Sequence, residues 1–318
     1  MKILVTGGAG FIGSNLVEDL VSSGHEVRVL DDLSTGSLDN LADIRPPPDA
    51  VVQDIRDTEA VWDAMRDVEV VYHLAALPSV ARSVTDPVTT HQVNVDGTLS
   101  VLQAARRARV RRIVYASSSS VYGNTPRLPK DEAMPLAPQS PYAASKAAGE
   151  GYCRAFTHAY GLETVSLRFF NVFGPRQDPS SEYAAAIPRF IHRMLAGGSP
   201  EIFGDGEQSR DFTFVADVVQ ALRLAAASGP EAVGQAVNIG CGARTSLLQL
   251  VAILNKVLGT SISPVFSAPR QGDVRHSRAD VTRAQRVLGY RREVSFEAGL
   301  AQTIAWFAGR NSVTEAVR

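Results

Sequence analysis

The first 170 residues alternate short apolar runs with helical patterns, and no other feature of the chain restricts its fold as strongly. Runs near Lys2–Val5, Val27–Leu30, Ala50–Val52, Val70–His73, Arg112–Ala116 and Val165–Phe169 are nearly continuous in Val, Ile and Leu, without a polar residue at every second position. Strands written this way are covered on both faces. Helical spacing fills Phe11–Ser23, Asp96–Arg109 and Pro141–Tyr160 between them. The alternation predicts an α/β architecture, a parallel sheet wrapped by helices.

The rhythm changes after Phe170. GPRQDPSSEY (174–183) reads as a Pro-containing loop, a helix follows near Ala186–Ala196, and FGDGEQSRD (203–211) is a second polar loop. This half is expected to form a smaller lobe over the carboxyl ends of the strands, with Ala236–Ile239 returning to the main sheet. The expected division is 1–170 plus about 212–240 for a nucleotide-binding domain, and 171–211 with 241–318 for a substrate lobe.

With 318 residues, 45% of them apolar, and a net charge of −1, the chain can bury a core and has no overall attraction to nucleic acid or acidic membranes. The five arginines between Arg106 and Arg112 are an isolated cluster at a helix end, not a broad basic face. Cys153 and Cys241 stand in no metal-ligand spacing, so no metal and no disulfide is expected, and reduced thiols suit a cytoplasmic location. MKILVTGG is too short for an export signal, and Leu247–Leu258 is interrupted by Gln249, Asn255 and Lys256, so no membrane span is expected. A small-molecule partner is the class that remains.

TGGAGFIG (6–13) sets Gly7, Gly10 and Gly13 directly after the first run, with Phe11 and Ile12 opening the helix. Glycines suit a turn that must be tight, admit a pyrophosphate to the helix N-terminus and let helix and strand pack closely. Eighteen residues after Gly13, Asp31 ends the second run, where a carboxylate bonds both adenosine ribose hydroxyls and repels a 2′-phosphate. The pattern predicts a Rossmann-type, doubly wound sheet binding NAD. Asp32 competes with Asp31 for the ribose. Asp54 and Ile55 follow the third run, and Asp54 suits either the adenine edge or a helix cap.

In SPYAASK (140–146), Tyr142 and Lys146 stand four apart on one helix face. A phenol is a weak base at neutral pH; a lysine ammonium and a cationic nicotinamide favour its ionised form, and a shift from about 10 to about 7 corresponds to roughly 4 kcal/mol.

Together with HLAAL (73–77), NVDGT (94–98), SSSSVYG (117–123), RFFNVFGP (168–175), SRDF (209–212) and RQGDVRHSRAD (270–280), these motifs resemble the extended short-chain dehydrogenase/reductase family along the whole chain, and within it the UDP-sugar 4-epimerases. The resemblance implies that Tyr142 takes the proton of the sugar 4-hydroxyl while C4 gives a hydride to NAD. The keto sugar then turns and takes the hydride back on its other face. It also implies that Lys146 supports Tyr142 and holds the nicotinamide ribose, that Ser118 bonds the 4-oxygen with Ser119 beside it, and that Leu74, Ala75, Ala76 and Leu77 line the cofactor cleft with support from Asn94. Asn171, Arg210, Arg270 and Asp273, with backbone near Ala186 and Phe203, fall where diphosphate and uridine are expected, and arginine forks suit a diphosphate.

Related dehydratases resemble this pattern but carry Asp-Glu after the catalytic hydroxyl, and related decarboxylases carry Glu before Val-Tyr-Gly. Here those positions are Ser119 and Ser120, so the expectation is reversible hydride transfer alone. The family further suggests that the residue at Ser277 gates space near C2. A small side chain there, with AAAIP (184–188) and Gln177, points to the UDP-N-acetylglucosamine/N-acetylgalactosamine pair alongside UDP-glucose/UDP-galactose. The alternatives are a UDP-uronate 4-epimerase, another oxidoreductase or dehydratase of nucleotide sugars, or a non-catalytic NAD sensor. Relatives pair as homodimers through helices matching Asp96–Arg109 and Pro141–Tyr160, and the same is expected here.

Overall fold

The computed structural model describes residues 1–179, 185–268 and 275–316. Seven strands form one sheet: β1 (Lys2–Thr6), β2 (Glu26–Asp31), β3 (Asp49–Val52), β4 (Val70–His73), β5 (Arg112–Ser118), β6 (Glu163–Phe169) and the later strand Gln235–Ile239. Every neighbouring pair is parallel, and the order is β3-β2-β1-β4-β5-β6 followed by Gln235–Ile239. The order reverses between β1 and β4, the point where a doubly wound sheet opens a crevice at its carboxyl end.

Helices cover both faces. In chain order they are α1 (Phe11–Ser22), α2 (Thr58–Ala64), α3 (Val80–Thr85), α4 (Pro87–His91), α5 (Gly97–Arg107), α6 (Pro141–Tyr160), α7 (Ala186–Leu195), α8 (Val215–Ala227), α9 (Leu247–Leu258), α10 (Thr282–Leu288) and α11 (Phe296–Ala316). One apolar cluster joins β1 and β2 to α1, α8 and α10; another joins β4 and β5 to α2, α5 and α6. A third packs α7, α9 and α11 around Phe173, Phe212 and Phe214, above the strand ends.

One sequence expectation changes. β3 is not covered on both faces, because it is the edge strand and Val52 is 49% exposed. In the arginine cluster, Arg106, Arg107, Arg109 and Arg111 are exposed and Arg112 is buried. Arg106 and Arg107 stack on Tyr160 and Trp62, each 3.9 Å from the ring centre. Arg112 pairs with Glu163 at 2.7 Å and donates to the carbonyls of Ala225, Ala226 and Ser228, so it caps the carboxyl end of α8. Among the described residues, no helix is long and apolar enough to cross a membrane.

Candidate active site

The loops leaving β1 and β4 part around a cleft of about 210 Å³. Its floor is the glycine turn. Gly7 has φ +71, and a Cβ there would lie 2.6 Å from the Ala75 nitrogen. A Cβ on Gly13 would stand 2.0 Å from the Gly7 carbonyl, so only glycine lets α1 approach the turn. Gly10 caps α1 without a side-chain bond, which leaves the first-turn amides open toward an anion.

Asp31 and Asp32 both line the cleft at the end of β2. Asp31 is 8% exposed, and its two oxygens accept from the backbone N–H of Ala9 and of Leu33, each at 2.9 Å. Burial pushes its carboxyl above the usual range, against the pull of those two bonds. Asp32 accepts instead from the backbone and hydroxyl of Ser34. Ile55 lines the cleft, together with Gln53, Ser34 and Thr35, which the sequence reading missed because they belong to no motif.

Asp54 caps no helix: it ion-pairs with Arg56 at 2.5 Å between the cleft-lining Gln53 and Ile55, while Asp57 caps α2. Leu74, Ala75 and Ala76 line the opposite wall. Leu77 points into the core, 4% exposed, and Asn94 is buried behind it. Asn94 accepts from the Leu77 amide at 2.8 Å and donates to the Leu77 carbonyl and the Ser145 hydroxyl. These two residues shape the wall without forming its surface. Asn94 belongs to a π-helical turn, Gln92–Asp96, an irregularity often found near functional sites.

α6 begins where Ser140 accepts from the Ala143 amide and Pro141 takes the first helical position. That start turns Tyr142 and Lys146 into the cleft beside Ala116 and Ser117. Ser118 ends β5, its hydroxyl beside the Tyr142 phenol and accepting from the Ser120 amide at 3.2 Å. Lys146 donates to the Ala116 carbonyl at 2.8 Å, and burial pushes its ammonium down to about 8, opposed by Cys153 and Glu150.

Burial raises the Tyr142 phenol above its ordinary value, and only the Ser118 hydroxyl pulls the other way. His73, buried between Thr6 and Thr98, is pushed down to about 3 by burial and stays neutral. Among the described residues, Asp31 and Asp32 are the carboxylates lining this cleft.

A second pocket, about 220 Å³, brings Asn171, Ala186, Phe203 and Arg210 together. Arg210 donates to the Ser209 and Arg275 carbonyls. Gln208 and Arg189, absent from the sequence reading, also line it. Gln208 donates to the Phe203 carbonyl at 2.6 Å, while its buried Oε1 has no partner among the described residues. The signal was available: Gln208 stands two residues before Arg210 in a polar loop. Ser277 lies beside this pocket, its hydroxyl 3.3 Å from Asn171 Oδ1. Ser119 opens a short 3₁₀ turn after Ser118. Arg270, Asp273 and the first residue of AAAIP lie outside the described residues.

Residues 3–240 match the family model described as the NAD dependent epimerase/dehydratase family. The chain belongs to that family. Within it, the chain is 44% identical over 315 residues to a UDP-glucose 4-epimerase of Mycolicibacterium smegmatis, covering 98% of this chain and 100% of the relative. A solved UDP-N-acetylglucosamine 4-epimerase of Methanobrevibacter ruminantium, in complex with UDP-N-acetylmuramic acid, superposes with a TM-score of 0.93 at 38% identity, covering 97% of this chain and 98% of the other. A Thermus thermophilus UDP-glucose 4-epimerase complexed with NAD gives 0.88 at 38% identity, with 97% and 99% covered. NAD is the cofactor of the family, and the glycine cradle, the open amides of α1 and the buried acceptor at Asp31 fit it.

Proposed function

We propose that the protein is an NAD-dependent 4-epimerase of UDP-hexoses, acting on the UDP-N-acetylglucosamine/N-acetylgalactosamine pair and also on UDP-glucose/UDP-galactose, as a homodimer. The observation that carries this reading is the meeting of Tyr142 and Lys146 in the switch-point cleft, with Ser118 beside the phenol and, among the described residues, no carboxylate lining their end of it. NAD would lie along the glycine turn with its ribose at Asp31, and it supplies the hydride acceptor and donor.

Tyr142 takes the proton of the 4-hydroxyl and later returns it. The Ser118 hydroxyl donates to the oxygen that becomes the carbonyl and fixes the sugar against Tyr142. Lys146, held at the Ala116 carbonyl, keeps a positive charge beside the phenol and reaches the nicotinamide ribose. Elimination of water or loss of a carboxylate from the sugar calls for an acid or base beside Ser118, and Ser119 and Ser120 offer only hydroxyls.

The second pocket suits the nucleotide: Arg210 for diphosphate, the unpartnered Gln208 acceptor for an N–H donor such as that of uracil, and Phe203 for the base. Arg270 and Asp273 complete the proposed set. Ser277, bonded to Asn171, is small enough to leave room at C2 for an acetamido group.

The test is turnover of the four UDP-sugars with and without added NAD. Conversion within both pairs is expected. Absence of conversion of the acetylated pair removes the C2 argument, and absence of all four removes the reading. Tyr142→Phe should lower kcat by about 10²- to 10⁴-fold with the fold intact.

A further inference from the structure

Below the three reacting side chains lies a buried polar network that the mechanism above does not use. Tyr142, Lys146 and Glu150 follow one another at four-residue steps on α6. Lys146 reaches the Ala116 carbonyl of β5, and Glu150 accepts from the hydroxyl of the next residue, Ser117, at 2.5 Å. Glu150 is 8% exposed and takes a two-pronged bond from Arg168 of β6, 5% exposed, at 2.9 and 2.7 Å.

The third guanidinium arm donates to the Tyr122 phenol at 2.7 Å, and Tyr122 donates on to Asn238 at 2.6 Å. In the sheet, Ser117 and Asn238 are the residues paired with Arg168 on its two sides. Ser117 stands just before Ser118, and Tyr122 closes the 3₁₀ turn that follows it. One ion pair therefore grips the chain on both sides of Ser118.

We propose that Glu150 and Arg168 are positioning residues, which clamp Ser117 and Tyr122 and thereby set the Ser118 hydroxyl against Tyr142. The proposal rests on the epimerase reading for its catalytic consequence. A buried ion pair costs desolvation and contributes little net stability against an apolar replacement, so its use here lies in the geometry it enforces. Arginine suits the task because a planar fork grips a carboxylate while its remaining arm holds a third group. It also explains Ser117, which takes no part in the reaction itself.

The test is the double variant Ser117→Ala, Tyr122→Phe, which keeps the ion pair and cuts both of its links to the strand end. Crystal structures of the wild type and the variant should show the Ser118 hydroxyl displaced relative to the Tyr142 phenol. An unmoved Ser118 overturns the proposal whatever the activity. In turnover, kcat should fall by about tenfold to a hundredfold while the KM for the UDP-sugar and the affinity for UDP stay within about twofold.

A variant with wild-type kcat overturns the proposal, and so does one whose kcat and UDP affinity fall together with its Tm, since that is a general structural effect. Ser117→Ala alone, which leaves the Tyr122 link in place, should show a smaller fall of the same kind. A wild-type protein that turns over no UDP-hexose overturns the epimerase reading instead, and the crystallographic comparison still decides the clamp.

Discussion

At the scale of single residues, the site depends on groups that burial pushes away from their ordinary ionisation. Lys146 sits below the usual lysine range, so its ammonium is complete below pH about 8 and is lost as pH rises through that value. The basic limb of kcat/KM is expected to fall there, and a pH profile flat to about 10 would remove Lys146 as the charge that matters. Tyr142 moves in the opposite sense, upward, so in the protein alone it holds its proton at neutral pH. The remaining help toward phenolate has to come from the positive nicotinamide ring. Asp31 is already held by Ala9 and Leu33 before any ribose arrives. Asp31→Ala should weaken NAD binding by about tenfold to a hundredfold, the loss of charge-assisted bonds to the ribose, measured by calorimetry on cofactor-stripped protein.

At the scale of elements, α6 does the most to build the site. Its Ser-Pro start sets the phase that turns Tyr142 and Lys146 to one side, and Gly149 lets the helix lie close on β5. A Cβ at Gly149 would stand 2.2 Å from the Tyr115 phenol oxygen, in a wall that is fully buried. Helix propensity alone favours alanine over glycine by about 1 kcal/mol. Overpacking costs more, so Gly149→Ala should lower stability by about 1–3 kcal/mol despite the better helix former. Urea unfolding would measure it, and a more stable variant would show that the helix can move away from β5 without loss. The same crowding explains why a glycine stands in the middle of a long helix, which its local sequence does not justify.

At the scale of the whole molecule, the exposed apolar side chains Val80, Val84 and Val88 lie on α3 and α4, which pack against α6, where Tyr152 and Tyr160 are also exposed. This face suits the homodimer proposed above; the apolar side of α5 is buried in the core of the chain itself. Sedimentation should give twice the 34.1 kDa chain mass; a monomer at micromolar concentration would leave that face without its proposed partner. The periodicity of the first 170 residues was enough to read the parallel sheet, because strands buried on both faces and helices buried on one leave different patterns. The glycine turn, Asp31 and the Tyr-Lys pair were legible for a similar reason: each is a local requirement met within one turn or one helix. What the tertiary structure decided lies between elements. It separated Leu77 and Asn94 from the cleft surface, paired Asp54 with Arg56, brought Gln208 to the second pocket, and joined Ser117, Glu150, Arg168 and Tyr122 into one buried network. Those relations depend on which strands are neighbours and in what register, and residues from 117 to 238 meet only once the sheet has formed.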